Sequence, residues 1–130
     1  LAYLLTNVKG VDMLDFNEAE ITNEGITTLT KLEYIKELRL KNCRNLDNGC
    51  IEDLNKLSSL VFLRLKNTKI TIDGLLQLNR LPALKTLMFT SEAEIPEEKM
   101  RQLRALLPGC EFVVNGQTYE FRGDDWSTPI

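Results

Sequence analysis

A six-residue apolar pattern, L-x-x-L-x-L, opens four segments of this chain at near-constant spacing, and no other feature restricts the fold so tightly. The segments are Val11-Asp12-Met13-Leu14-Asp15-Phe16, Ile35-Lys36-Glu37-Leu38-Arg39-Leu40, Leu60-Val61-Phe62-Leu63-Arg64-Leu65 and Leu84-Lys85-Thr86-Leu87-Met88-Phe89. Their starts lie 24, 25 and 24 residues apart. A fixed period of this length marks stacked supersecondary units, each too small to bury its own apolar face alone.

The second half of each unit repeats as firmly. An aliphatic residue is followed by apolar residues at +5, +8 and +11: Ile21, Ile26, Leu29, Leu32, then Leu46, Ile51, Leu54, Leu57, then Ile70, Leu75, Leu78, Leu81. The fourth unit supplies Ile95, Met100, Leu103 and Leu106. In the first half, the Leu-x-Leu step alternates apolar and mostly polar residues, as a strand with one buried face does. In the second half, a step of three keeps one face of a helical turn inward. Thr22, Asp47 and Thr71 hold the same slot as expected N-caps, and the fourth unit places Pro96-Glu97-Glu98 there, suited to the positive end of a helix. The strand-end slot carries the small residues Ala19, Cys43 and Thr68, while Gly25 and Gly74 align with Cys50, which is expected at a crowded helix start. Ala2, Leu5 and Val8 match the tail of an earlier unit, so the reading is that the chain opens inside a repeat with further residues before Leu1.

These residues resemble the leucine-rich repeat family in its short form, L-x-x-L-x-L followed by I-T-x-x-G-[IL]. Ile21-Thr22-Asn23-Glu24-Gly25-Ile26 and Ile70-Thr71-Ile72-Asp73-Gly74-Leu75 carry the second motif, and Leu38 through Leu46 looks like the cysteine-containing variety. The resemblance implies an α/β leucine-rich repeat solenoid with a parallel sheet on the concave side and helices on the convex side. It also implies a protein-binding module. The family's strand-end asparagine is replaced by Ala19, Cys43 and Thr68, which removes the expectation of a regular asparagine ladder but not of the solenoid. A shorter stretch, Cys43 through Leu60 with Asn48-Gly49-Cys50-Ile51, is similar to mitochondrial ATP synthase coupling factor B and related assembly factors.

The repeats are expected to fill residues 1–109, as a partial unit and four full ones. Asn115-Gly116 is a strong two-residue hairpin signal. The register it implies puts Cys110, Phe112, Val114, Tyr119 and Phe121 on one face and Glu111, Thr118 and Glu120 on the other. Residues 110–121 are therefore expected to form a C-terminal β-hairpin cap over the last repeat, where an open stack needs cover. Residues 122–130 lack periodicity and read as a tail, with Trp126 expected to pack back on the domain.

Composition then excludes chemistry. The 130 residues contain 23 leucines, none beyond Leu107, and no histidine, so no Ser-His, Cys-His or His-ligated metal mechanism operates within these residues. Glu97-Glu98 and Asp124-Asp125 are sequence neighbours at a helix start and in a tail, not a catalytic pair across a cleft. There is no Gly-rich phosphate loop, and no enzymatic activity, cofactor or metal is expected. The three cysteines Cys43, Cys50 and Cys110 show no metal or redox spacing, and read as small buried hydrophobes in a reducing compartment. No apolar run reaches membrane-spanning length.

What remains is a surface. Residues between the buried leucines point away from the helices. Read across the four strands, the third positions are Met13, Glu37, Phe62 and Thr86; the fifth are Asp15, Arg39, Arg64 and Met88; the seventh are Asn17, Lys41, Lys66 and Thr90. Arg39, Lys41, Arg64 and Lys66 thus form a two-by-two basic block adjoined by Phe62 and Met88, within a chain of net charge -3. One reading is a polar sheet face kept soluble by charge. The other is a recognition patch for an acidic protein partner, drawn in electrostatically. Four basic residues and one aromatic are a thin signal for nucleic acid. The function expected is a protein-binding scaffold; the alternatives are an assembly or coupling factor of a larger membrane-associated complex, or the non-catalytic recognition segment of a longer enzyme.

Overall fold

The computed structural model describes residues 9–18 and 20–121. Ala2, Leu5, Val8, Ala19, Asp124, Asp125 and Trp126, all named above, lie outside the described residues.

Strands alternate with short helices: β1 (Gly10–Asn17), α1 (Asn23–Leu29), β2 (Tyr34–Lys41), a 3-10 turn (Asn48–Cys50) running into α2 (Ile51–Leu54), β3 (Phe62–Lys66), α3 (Ile72–Leu75), β4 (Thr86–Phe89), α4 (Glu97–Leu106), β5 (Glu111–Val114) and β6 (Gln117–Thr118). The strands form one six-stranded α/β sheet in chain order, β1-β2-β3-β4-β5-β6. β1 to β5 run parallel, and β6 returns antiparallel. Parallel neighbours require a crossover, which the helical half of each unit provides.

Register advances one unit per strand. Leu14, Leu38, Leu63 and Leu87 stand side by side across the sheet, and so do Phe16, Leu40, Leu65 and Phe89. These rows form one continuous core with Ile26, Leu29, Leu54, Leu75, Met100 and Leu103 from the helical halves. One face of the sheet therefore packs on the helices, while the alternate side chains occupy the other face. α2 and α3 are only four residues long. Apolar residues three apart eclipse on a 3-10 turn but drift around a longer 3.6-residue helix, so the spacing itself favours single turns. α4, ten residues long, follows Pro96 and holds Glu97 and Glu98 in its first turn.

The N-cap slots are where the sequence places them, but the capping chemistry differs. Thr22 and Thr71 make no side-chain cap hydrogen bond; only Asp47 does, accepting from Gly49 N at 2.8 Å. Neighbouring units supply the rest. Asn48 Oδ1 accepts from Thr71 N at 3.0 Å while Asn48 Nδ2 donates to Thr71 Oγ1 at 2.9 Å. Asn23 Nδ2 likewise donates to Asp47 Oδ1 at 2.8 Å. This arrangement explains Gly74, whose missing Cβ would stand 2.0 Å from Asn48 Oδ1.

Side-chain contacts also join the strand ends, though not as a regular ladder at the Ala19, Cys43 and Thr68 slot. Asn42 and Asn67 stand one position before Cys43 and Thr68, while Glu18 holds the corresponding position in the first unit and Asn17 precedes it. Asn67 Nδ2 donates to Asn42 Oδ1 at 2.8 Å, and Asn42 Nδ2 reaches Asn17 Oδ1 at 3.5 Å. Asn42 and Asn67 have φ of 56 and 55, a left-handed conformation that asparagine tolerates better than most residues. Cys43 follows, fully buried, its thiol directed at the carbonyls of Lys41 and Phe16.

Residues 110–121 continue the sheet. β5 pairs with β4 in the established register, Phe112 beside Leu87 and Val114 beside Phe89, because Phe112-x-Val114 repeats the Leu-x-Leu step. Asn115 and Gly116 have φ of 52 and 85, as a type I′ turn demands, and send the chain back into β6. Tyr119 and Phe121 pack edge-on at 4.8 Å between ring centroids, and the Arg104 guanidinium lies 4.1 Å above Phe121.

Leu63 is fully buried in the middle of the sheet. Leu63→Ala is expected to cost about 2–5 kcal/mol through lost burial and the cavity left behind. A neutral effect on the urea denaturation midpoint would show that the side chain is not in the core.

Candidate partner-binding face

The strand register brings the candidate residues together on the face opposite the helices. Arg39 stands beside Arg64 and Arg64 beside Met88; Lys41 stands beside Lys66, and Glu37 beside Phe62. Neighbouring strands are about 4.8 Å apart and alternate residues about 6.6 Å apart along a strand. All four basic side chains thus sit within about one Debye length of a neighbour at physiological salt. Like charges directly opposite in a sheet are destabilising, and this sheet holds two such pairs side by side.

The four cations are not equivalent. Arg39 pairs with Glu37 at 3.4 Å, and its guanidinium carbon lies 4.9 Å from the centre of the Phe62 ring. Its charge is partly compensated, and the aromatic face it covers is occupied. Lys41, Arg64 and Lys66 form no ion pair among the described residues. Arg64 Nε is buried and has no hydrogen-bond partner, as is Arg39 Nε. A buried donor without an acceptor is a local cost to the fold, and both arginines carry it.

The structure adds a column that sequence reasoning missed. Glu111 and Val113 on β5 stand beside Thr86 and Met88, widening the open face by one strand. A cleft of about 300 Å³ lies there, lined by Arg64, Lys66, Met88, Thr90, Val113 and Asn115 among others. Of the residues proposed from sequence, Arg64, Lys66 and Met88 reach this cleft, whereas Arg39, Lys41 and Phe62 do not line it. The signal for Val113 is the alternation that continues from Cys110 to Val114, a pattern that suits a further strand of the sheet as well as a hairpin face. Asn115 forms one wall: its Oδ1 accepts from Ser91 N at 2.9 Å and its Nδ2 donates to Ser91 O at 3.1 Å.

The other chemistry-bearing residues are engaged in structure. Glu97 accepts from Arg101 one turn on, and Asp73 pairs with Lys99 at 2.7 Å. Thr27 donates to Asp53, which holds the Asp53 carboxyl below the usual carboxylate range with help from Lys56. Among the described residues, no three His, Cys, Asp or Glu side chains are grouped to hold a metal, and no helix is long and apolar enough to cross a membrane. Burial pushes the Cys50 thiol up from 9.0 to about 12, with the Asp47 charge adding to it. Burial is also the main cause that raises the Cys110 thiol to about 12. Cys50 is buried and Cys110, against the sequence expectation, only half-buried; a thiol held protonated is a poor nucleophile at either position.

No family profile matches the sequence. The chain is similar to Distal membrane arm assembly component 2 of Drosophila melanogaster, with 29% identity over 107 residues. That match covers 79% of this chain and 38% of the fly protein, so the chain spans well under half the length of this relative.

Two predictions follow from the charges and thiols of the described residues. Arg64→Met removes one member of a like-charge pair together with the unpartnered Nε, and is expected to stabilise the fold by about 0.2–1 kcal/mol. Urea denaturation checks this; a lower midpoint would mean that the guanidinium is already compensated. The thiols set a pH dependence. Between pH 9.0 and about 12 an unfolded chain releases protons that native Cys50 retains, so its contribution is intact below 9 and is lost as pH rises through that window. The fall in stability over this range should be shallower in Cys50→Ala than in the unsubstituted chain, and equal slopes would refute the assignment.

Proposed function

We propose that this chain is a non-enzymatic protein-recognition module of the leucine-rich repeat type that serves the assembly of a larger, membrane-associated complex. In this reading the sheet is the concave side of a short solenoid and the helices are its convex side. A register that steps by whole repeats, with leucine rows aligned from β1 to β4, supports the solenoid. The observation that carries the assembly role is the similarity to a protein named as a distal membrane arm assembly component. The resemblance of Cys43 through Leu60 to coupling factor B and related assembly factors points the same way.

The partner is a protein with an acidic surface. Lys41, Arg64 and Lys66 are uncompensated among the described residues, in a chain whose net charge is -3. A local positive patch on an acidic protein attracts a complementary surface and repels copies of its own kind. Met88 and Val113 supply the apolar area that a binding face needs beside its charges.

The test combines deletion with charge reversal. Cells lacking the protein should lose one large membrane complex, seen on native gels, and the wild-type gene should restore it. The double variant Arg39→Glu with Arg64→Glu should fold with an unchanged circular dichroism spectrum yet fail to restore the complex. It should also bind the partner at least about tenfold more weakly. An unchanged native-gel pattern on deletion would overturn the assembly role; full rescue by the double variant would remove the basic face from it.

A further inference from the structure

Within the open face, uncompensated charge and apolar side chains adjoin at the cleft between β3, β4 and the β5–β6 turn. Arg39 is held by Glu37 and stacked on Phe62, so the β2 side of the basic block offers less free charge and a covered ring. On the other side Arg64 and Lys66 have no ion pair among the described residues, and both line the cleft with Met88 and Val113. We propose that this cleft is a docking subsite for a protein segment presenting a Glu or Asp side chain next to a large aliphatic one. Its carboxylate is taken by Arg64 and Lys66, and its aliphatic side chain lies against Met88 and Val113. This rests on the reading that the open face binds a protein partner, and it names the chemistry of the segment bound.

Three features favour this occupant. A guanidinium beside an ammonium suits a carboxylate, since charge-assisted hydrogen bonds are the strong ones and neither Arg64 nor Lys66 forms an ion pair among the described residues. The cleft volume of about 300 Å³ accommodates the aliphatic side chain together with the carboxylate. Its wall is also formed in advance, because Asn115 is tied to Ser91 through both ends of its amide, and Thr90 Oγ1 accepts from Asn67 N at 2.9 Å. A preformed wall spares the ordering cost that a flexible one would add on binding. Nucleic acid fits less well: base stacking needs an open aromatic platform, and the Arg39 guanidinium already covers Phe62.

A library of random linear peptides displayed on phage is the probe, selected separately against the wild-type chain and three variants. The wild type should enrich peptides with Glu or Asp adjacent to Leu, Ile or Met. The double variant Arg64→Gln with Lys66→Gln should lose the acidic preference, and a synthetic wild-type-selected peptide should bind it at least about tenfold more weakly. Val113→Ser should lose the aliphatic preference and keep the acidic one, whereas Lys31→Gln, an exposed lysine just after α1 and outside the open face, should keep both. No enrichment on the wild type, or the same acidic preference in the Arg64→Gln, Lys66→Gln variant, would overturn the subsite. Binding to phosphatidylserine-containing vesicles that depends on Arg64 and Lys66, without peptide enrichment, would assign the charges to lipid and also overturn it. The deletion assay separates the two levels. If Arg64→Gln with Lys66→Gln fully restores the complex, the subsite fails while the assembly role stands. If deletion has no effect on any complex, that role fails and the peptide selection alone decides the subsite.

Discussion

Each unit of this chain carries two rows of leucine-type side chains that it cannot bury by itself, and the sheet exists because the next unit buries them. Leu38 is enclosed by Leu14 and Leu63 on its flanks and by helical residues such as Ile26, Leu29 and Leu54 in the same core. A strand slipped by one residue would turn its leucines to water and its charges inward, so the hydrophobic pattern sets register strongly. That single requirement places Arg39 beside Arg64 and Lys41 beside Lys66. The like-charge contacts on the open face are a consequence of leucine packing on the hidden one.

Holding the units together at their ends is a separate task, and asparagine performs it twice. At the strand exits Asn67 bonds Asn42 and Thr90, and at the helix starts Asn48 bonds Thr71 through both its oxygen and its nitrogen. These groups satisfy backbone donors that a short, tight turn would otherwise leave open. Asn55 does the same inside, nearly buried, donating to Gln77 O and accepting from Asn79 N and Arg80 N. The strand-exit bonds extend to the rim of the candidate cleft, where Asn115 and Ser91 close the pattern. The stacking device and the site wall are thus one construction.

Seen this way, the open face divides the labour among its charges. Arg39 is spent locally on Glu37 and Phe62, whereas Arg64 forms no ion pair among the described residues and lines the cleft. A sheet that only needed solubility could alternate signs across its strands at no cost, as Asp15 beside Arg39 does. The run of like charge from β2 to β3 is what the proposed acidic partner accounts for.

Periodicity alone determined the strand positions, the leucine rows, the helical turns and the membership of the basic block, because these depend on which residues recur and at what step. The hairpin turn at Asn115-Gly116 was equally legible, since few residue pairs accept two positive φ angles in succession. Other features needed the third dimension. No sequence pattern says that Asn48 caps the next unit instead of its own, since the choice depends on two backbones meeting 23 residues apart in the chain. The same holds for β5, whose alternation suits a covering hairpin or a further parallel strand equally well. Only the exposed edge of β4, with backbone groups to satisfy, decided that it joined the sheet. With that strand came Val113, and with Val113 the cleft beside Arg64. Sequence determined which side chains share a face; tertiary structure decided which of them are neutralised and which remain free, because pairing depends on ångström distances that the repeat pattern does not specify.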